Sequence, residues 1–224
     1  AELTTHLDSS GGFEVPRPTV ADMAEVVAPL QWLIDAVGSD GIPLSKAGWM
    51  PPQVVRDGMT TLGWNTFWPR PATTEATTPP IRNLRESAMR MGIVRKFKGR
   101  RVLGVDAKKR IGDPERIWNL ATARILRGLH ASEADAGAFL LVGIADGSIT
   151  TRSEEYWESI AFGLDSLGWS MGDREGFTKS TITELTLPVT WVLQDLQVLG
   201  DSYRAKPRKA HSAARAFALD ALLR

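Results

Sequence analysis

The sequence predicts a mainly α fold with one short β-hairpin (α+β), built as two related units in a pseudo-duplicated arrangement. Three observations carry this. Apolar residues recur at three- and four-residue spacing in segments opened by Pro or closed by Gly, the pattern of amphipathic helices. Two short runs rich in β-branched residues, Ile93 to Phe97 and Arg100 to Val105, flank Lys98-Gly99. Elements of the first half return in the second at an offset of about 105 residues.

At 224 residues and 43% hydrophobic content, the chain suffices for one large domain or two small ones with a real core. It has no cysteine, which excludes disulfides, thiolate metal sites and cysteine nucleophiles and fits a reducing, cytoplasmic setting. The longest apolar run, Ala136 to Ala145, falls short of the roughly 20 residues of a bilayer span, so no membrane contact is expected. Residues 1–18 read as a flexible leader, and their start suits either loss of an initiator Met or a cut from a longer chain.

The first unit, residues 19–128, begins where Thr19 can cap a helix through about Val27. Pro29 opens another whose seam, Leu30, Leu33, Ile34 and Val37, ends at Gly38. After Asp40-Gly41 comes a short extended piece, Ile42 to Leu44. Pro51-Pro52 then opens a helix stopped at Gly63, and Trp64 to Pro79 forms a Thr/Pro-rich loop, a hinge or a cover. A helix from Pro80 sets Ile81, Leu84, Ala88 and Met91 inward and Arg82, Asn83, Glu86 and Arg90 outward, ending at Gly92. The hairpin follows, closed by a type I′ turn or by a longer loop with Gly99 left-handed. Asp113-Pro114 starts a further helix to about Leu126.

In the second unit, residues 129–224, Asp146-Gly147 and the run Gly163 to Trp169 echo Asp40-Gly41 and Gly58 to Trp64. Pro188 and a helix ending at Gly200 echo Pro80 and the helix ending at Gly92. The copy is degenerate: Asp201 to Lys209 has no alternating apolar pattern, so its hairpin is lost or shrunk. Its helix packs with Val189, Val192, Leu193, Leu196 and Leu199 and turns Thr190, Trp191, Gln194, Asp195 and Gln197 outward. Trp191 is therefore a candidate contact with the first unit or another subunit, unless the loop before Pro188 covers it. Of the other tryptophans, Trp32, Trp64, Trp118 and Trp169 are expected in the core, while Trp49 and Trp68 lie in loops and their placement is undecided.

Charge is unevenly spread. Arg95, Lys96, Lys98, Arg100, Arg101, Lys108, Lys109 and Arg110 face only Asp106 within one short stretch, so the rest of a chain of formal charge +1 is net acidic. A second basic stretch holds Arg204, Lys206, Arg208, Lys209 and Arg215. The helix, the run Gly92-Ile93-Val94-Arg95-Lys96-Phe97-Lys98-Gly99-Arg100-Arg101-Val102-Leu103 and the helix after Asp113-Pro114 resemble the winged helix-turn-helix family. More narrowly, they resemble a group of uncharacterised actinobacterial proteins linked to a Ri-plasmid open-reading-frame domain. The likeness covers about residues 29–126, with a weaker echo beyond, and implies two winged-helix-like units.

That resemblance implies duplex DNA as a partner and a regulatory role. Arg82, Asn83, Glu86 and Arg90 would enter a major groove, and Arg95, Lys96, Lys98, Arg100 and Arg101 of the wing would neutralise phosphates. Two other readings stand beside it. The basic surface can be a solvated face that keeps an edge strand from aggregating. Alternatively, the scaffold is an interaction or self-association module working through the Trp191 side. Catalysis has little to rest on: His6, His130 and His211 lack triad or ligand spacing, and Glu154, Glu155 and Glu158 suit a helix start. No cofactor, metal or catalytic residue is expected, and an unrecognised site in the 64–79 loop is the remaining enzymatic alternative.

Overall fold

The computed structural model describes residues 15–109, 112–151, 154–172, 176–200 and 211–224, the side chains of residues 154, 155 and 211 excepted. Helix α1, Val20–Val37, opens on a capping box in which the Asp22 amide donates to Thr19 Oγ1 (3.2 Å) and the Thr19 amide to Asp22 Oδ2 (2.9 Å). The Thr19 hydroxyl, which donates to Asp22 Oδ2 (2.7 Å), and then the Thr19 amide hold the Asp22 carboxyl below its ordinary range. The two helices expected on either side of Pro29 are one. Met23, Val26, Val27, Leu30, Leu33, Ile34 and Val37 stay in phase across the proline, and burying that stripe outweighs the hydrogen bond that Pro29 forgoes.

Gly41, at φ +74°, turns the chain into β1 (Ile42–Pro43). Helix α2 (Pro52–Thr61) stops before left-handed Gly63, and a 3-10 turn, Trp64–Thr66, leads into the loop of residues 67–78. Helix α3 (Pro79–Arg90) buries Ile81, Leu84 and Ala88 as its periodicity requires. The hairpin is β2 (Val94–Phe97) and β3 (Arg100–Leu103), and both turn residues have positive φ, Lys98 at +46° and Gly99 at +73°. Those angles are what a two-residue type I′ turn needs. A third strand joins: β1 pairs antiparallel with β3, Ile42 opposite Arg101 and Pro43 opposite Arg100, giving the order β1-β3-β2. Short helices α4 (Val105–Lys108) and α5 (Pro114–Thr122, capped by Asp113) complete this half.

The second half is helical in its described residues: α6 (Ala131–Asp146), α7 (Glu154–Ser166), α8 (Lys179–Asp195) and α9 (His211–Leu222). Here the expected start at Pro188 is wrong. Thr178 caps α8, its Oγ1 accepting the Thr181 amide at 3.2 Å, and Ile182 and Thr186 extend the buried stripe ahead of Pro188, which lies inside the helix. The segment 201–210, where the second hairpin was expected to be lost, and residues 1–14 of the leader lie outside the described residues.

Some local geometry recurs between the halves. The Leu62 amide donates to the Gly58 carbonyl (3.0 Å) and Leu167 to Gly163 (3.2 Å), with Gly63 and Gly168 left-handed in each case. The Ile93 amide reaches the Ala88 carbonyl (2.8 Å) and Val198 reaches Leu193 (2.8 Å), with Gly92 at φ +69° and Gln197 at +56° between them. Gln197, not Gly200, thus stands where Gly92 stands.

One continuous apolar cluster runs through both halves. Helix α9 packs on α6, α5 and α1, and α3 packs on α8. Trp118 is fully buried edge-on to Phe217 at 5.0 Å, and its indole N–H donates to Asp220 Oδ2 (2.7 Å). Trp64 is buried, and Trp32 and Trp169 pack partly against the core. Trp68, whose placement the sequence leaves undecided, packs there too.

The seam between the halves is pinned by Arg90. Its guanidinium donates to the carbonyls of Ile125 (2.6 Å), Arg127 (3.0 Å) and Pro188 (3.1 Å). Burial lowers its pKa from the usual guanidinium range, partly offset by Glu133. Arg90→Met removes the side-chain donor from the Ile125, Arg127 and Pro188 carbonyls and is expected to destabilise the fold by about 2–4 kcal/mol. Arg90→Lys should recover only part of this, because one ammonium cannot span three carbonyls in the planar fork's geometry. Chemical denaturation of the two variants checks both statements.

Candidate nucleic-acid interface

Cross-strand partners share a face of the hairpin, so Val94, Lys96, Arg101 and Leu103 lie on one side and Arg95, Phe97, Arg100 and Val102 on the other. Val94, Arg101 and Leu103 are buried, which marks the first side as the core face. The basic residues of the wing therefore divide by strand and by face.

Arg101 points inward and is 2% exposed. Its Nη1 lies 2.8 Å from Met89 Sδ. Burial, then the neighbouring Arg85, lowers its pKa, and Glu75 works in the opposite direction. Glu75, fully buried on the 67–78 loop, pairs with Arg85 Nε and accepts the Met50 amide at 2.7 Å. Arg85 also donates to Glu86 (3.2 Å) and lies over the Trp49 ring at 5.6 Å. Neither Glu75 nor Arg85 stood out in the sequence. A signal existed for Arg85, which falls in phase with Ile81, Leu84 and Ala88 on the apolar stripe of α3.

Arg100 is occupied as well. Its Nε donates to the Asp40 carbonyl (2.8 Å) and its Nη2 to that of Gly41 (2.7 Å), tying β3 to the turn after α1. Asp106, the one acid of the basic stretch, pairs with Arg124.

Helix α3 differs most from expectation. Arg90 does not face solvent but holds the interhalf seam. Arg82 is half-buried with Nη1 3.4 Å from the Ala76 carbonyl, and Asn83 is half-buried with its Oδ1 enclosed. The 67–78 loop covers one flank of the helix and α8 the other, leaving a narrow stripe on which Glu86 is half-buried and Met89 is 37% exposed. Periodicity told which residues face away from the stripe, but not that other elements stack against their backs.

What remains exposed is Arg95, Lys96 and Lys98, none with an ion-pair partner among the described residues. Phe97 stands among them, 46% exposed, with the Arg95 guanidinium 4.8 Å and the Lys98 ammonium 5.4 Å from its ring centroid. The structure thus brings three of the expected phosphate-binding residues together at the hairpin tip and withdraws Arg82, Asn83, Arg90, Arg100 and Arg101 into the fold.

Helix α8 is likewise enclosed. Thr190 and Asp195, expected outward, are buried, with the Thr190 hydroxyl 3.5 Å from Tyr156 Oη, and Trp191 is half-buried. The covering comes from α3, α6 and α7 on its flanks. Among the described residues no group of three or more His, Asp or Glu side chains is placed to hold a metal ion, and no helix is long and apolar enough to cross a membrane. His130 begins α6, its amide donating to Glu133 (2.9 Å). Compared with protein-family models, curated proteins and solved structures, the chain gives no significant match.

Glu75→Ala is expected to cost about 3–5 kcal/mol, since it strands a buried Arg85 without its counter-charge. The loop of residues 67–78 should then become sensitive to limited proteolysis, which Glu75→Gln, keeping one acceptor, should show to a smaller degree.

Proposed function

We propose that this chain binds nucleic acid through the tip of its wing, by phosphate contact, and does not read bases with α3. The observation that carries this is the trio Arg95, Lys96 and Lys98, exposed and without an acidic partner among the described residues, beside a helix whose own arginines serve the fold. Such a surface favours a polyanion without specifying sequence. The architecture supports a winged-helix reading: α1, β1, α2, α3 and the β2-β3 hairpin follow in that order, with β1 laid against β3. The recurrent turns at Gly63 and Gly168, and at Gly92 and Gln197, support a duplicated origin for the two units. A regulatory role on DNA fits this scaffold as an assisting contact, with specificity supplied elsewhere.

Binding to mixed-sequence duplex DNA between about 50 and 200 mM salt tests the proposal. Three phosphate contacts give a log-log slope near about −2.7. The combined variant Arg95→Glu, Lys96→Glu, Lys98→Glu should abolish binding, whereas Arg82→Ala should leave it within about twofold. A flat salt response, or undiminished binding by the triple variant, would overturn it.

Lys98 adds a second test. A lysine at φ +46° sits where Asn or Gly is more stable by roughly 1 kcal/mol. Lys98→Asn should therefore raise the melting temperature while weakening binding and reducing the slope by about 0.9. The opposite signs separate a binding role from a structural one.

The alternative, a protein-interaction module, gains from α7 and not from Trp191. Phe162 is 75% and Leu167 52% exposed, so a self-associating surface would lie there. Sedimentation of the wild type and Phe162→Ser distinguishes it; a monomer in both leaves that reading unsupported.

A further inference from the structure

Phe97 is unexplained by phosphate contact. A phenylalanine on an outward face, at the end of a charged strand, forgoes the burial that usually rewards this side chain. Alternation alone does not require it: Arg95 holds the other outward position of the same strand and is polar. The ring lies next to the turn, and the turn itself is held in a strained form by left-handed Lys98, whose ammonium reaches back over the ring at 5.4 Å. Backbone strain beside an exposed aromatic and two unpaired cations marks a tip shaped for contact.

We infer that Phe97 is a stacking platform for an unpaired base, and that the preferred ligand of the wing is single-stranded nucleic acid. This rests on the proposal that the wing binds nucleic acid. Three features favour an unpaired strand over a duplex. The enclosed helix α3 leaves nothing to fill a major groove. The strands flanking the turn are only four residues long, so the tip presents one flat ring rather than a ribbon. Every base offers a π face, and an unstacked one can reach the ring without opening a helix. Arg95 and Lys98 end in flexible chains. In the complex their heads move from the ring to adjacent phosphates, and the base takes the ring face they leave. Lys96, on the opposite face of the strand, has its ammonium beside Gly48, 3.7 Å from where a β-carbon would stand, next to exposed Lys46. The backbone of a bound strand would pass across the tip toward that turn.

The test is fluorescence anisotropy with a labelled oligothymidylate of about a dozen nucleotides, the same length of oligouridylate, and a duplex of equal length. Wild type is compared with Phe97→Ala, Phe97→Trp and the triple charge-reversal variant, all checked for an unchanged melting temperature. Phe97→Ala should lose about 5- to 150-fold in affinity for the single strands. It should keep its duplex affinity within about twofold and its salt slope on either ligand, because no charge is removed. Phe97→Trp should bind as tightly as wild type. If Phe97→Ala binds single strands like wild type while the triple variant binds nothing, stacking is refuted and the phosphate reading stands. An equal loss on duplex and single strand refutes the preference and points to a wedge between paired bases. If wild type binds none of the three ligands, the phosphate reading falls, and this inference with it.

Discussion

The rest of the molecule is arranged around one guanidinium. Arg90, at the end of α3, donates to the Ile125 and Arg127 carbonyls beyond the end of α5 and to the Pro188 carbonyl within α8, and so joins helices that no local signal connects. A carbonyl buried without a donor is costly, and the helix termini supply several of them. A charged planar donor with several N–H groups can satisfy three at once, which neither an apolar residue nor a lysine does. Because Arg90 sits between α5 and α8, it fixes how α3 lies against the second half. The continuous core and the Trp118–Asp220 bond then close the same seam from the other side.

That packing decides which positive charge is left for a partner. With α8 on one flank and the Glu75-anchored loop on the other, the arginines of α3 are absorbed by carbonyls and by Glu75. Arg101 and Arg100 go the same way from β3, one into the core and one to the turn after α1. Within the hairpin, Arg95, Lys96 and Lys98 stay exposed, and beyond it Lys108 and Lys109 do as well. The basic surface is thus smaller than the composition of the stretch implies, and it sits on the part of the fold least coupled to the core.

Much of this was readable in the sequence, wherever a local cause decides the outcome. The stripe Ile81, Leu84, Ala88, the left-handed stop at Gly92, the hairpin about Lys98-Gly99 and the Thr19 and Asp113 caps are all set by residues within a turn or two. Pro29 and Pro188 carry the local signature of a helix start, yet each lies in a buried stripe that runs on through it. The β1 strand is two residues long and is defined by its partner, not by its own pattern. For the candidate site the limit was different in kind. A helical wheel divides α3 into a side with apolar residues and a side without, but only tertiary contacts reveal that the second side is also covered. Alternation placed Arg101 on the core face, a consequence the count of basic residues hid. Arg85 in phase with leucine and isoleucine was the overlooked clue to a buried ion pair.

The central claim is that nucleic acid meets the wing tip and not the second half. Lysine footprinting by mass spectrometry, with and without bound oligonucleotide, tests it most directly, because exposed lysines report from several faces. Lys96 and Lys98 should lose reactivity on binding, while Lys179, exposed at the start of α8 with its ammonium near the Trp157 ring, keeps it. Protection of Lys179 with Lys96 and Lys98 unchanged would contradict the account.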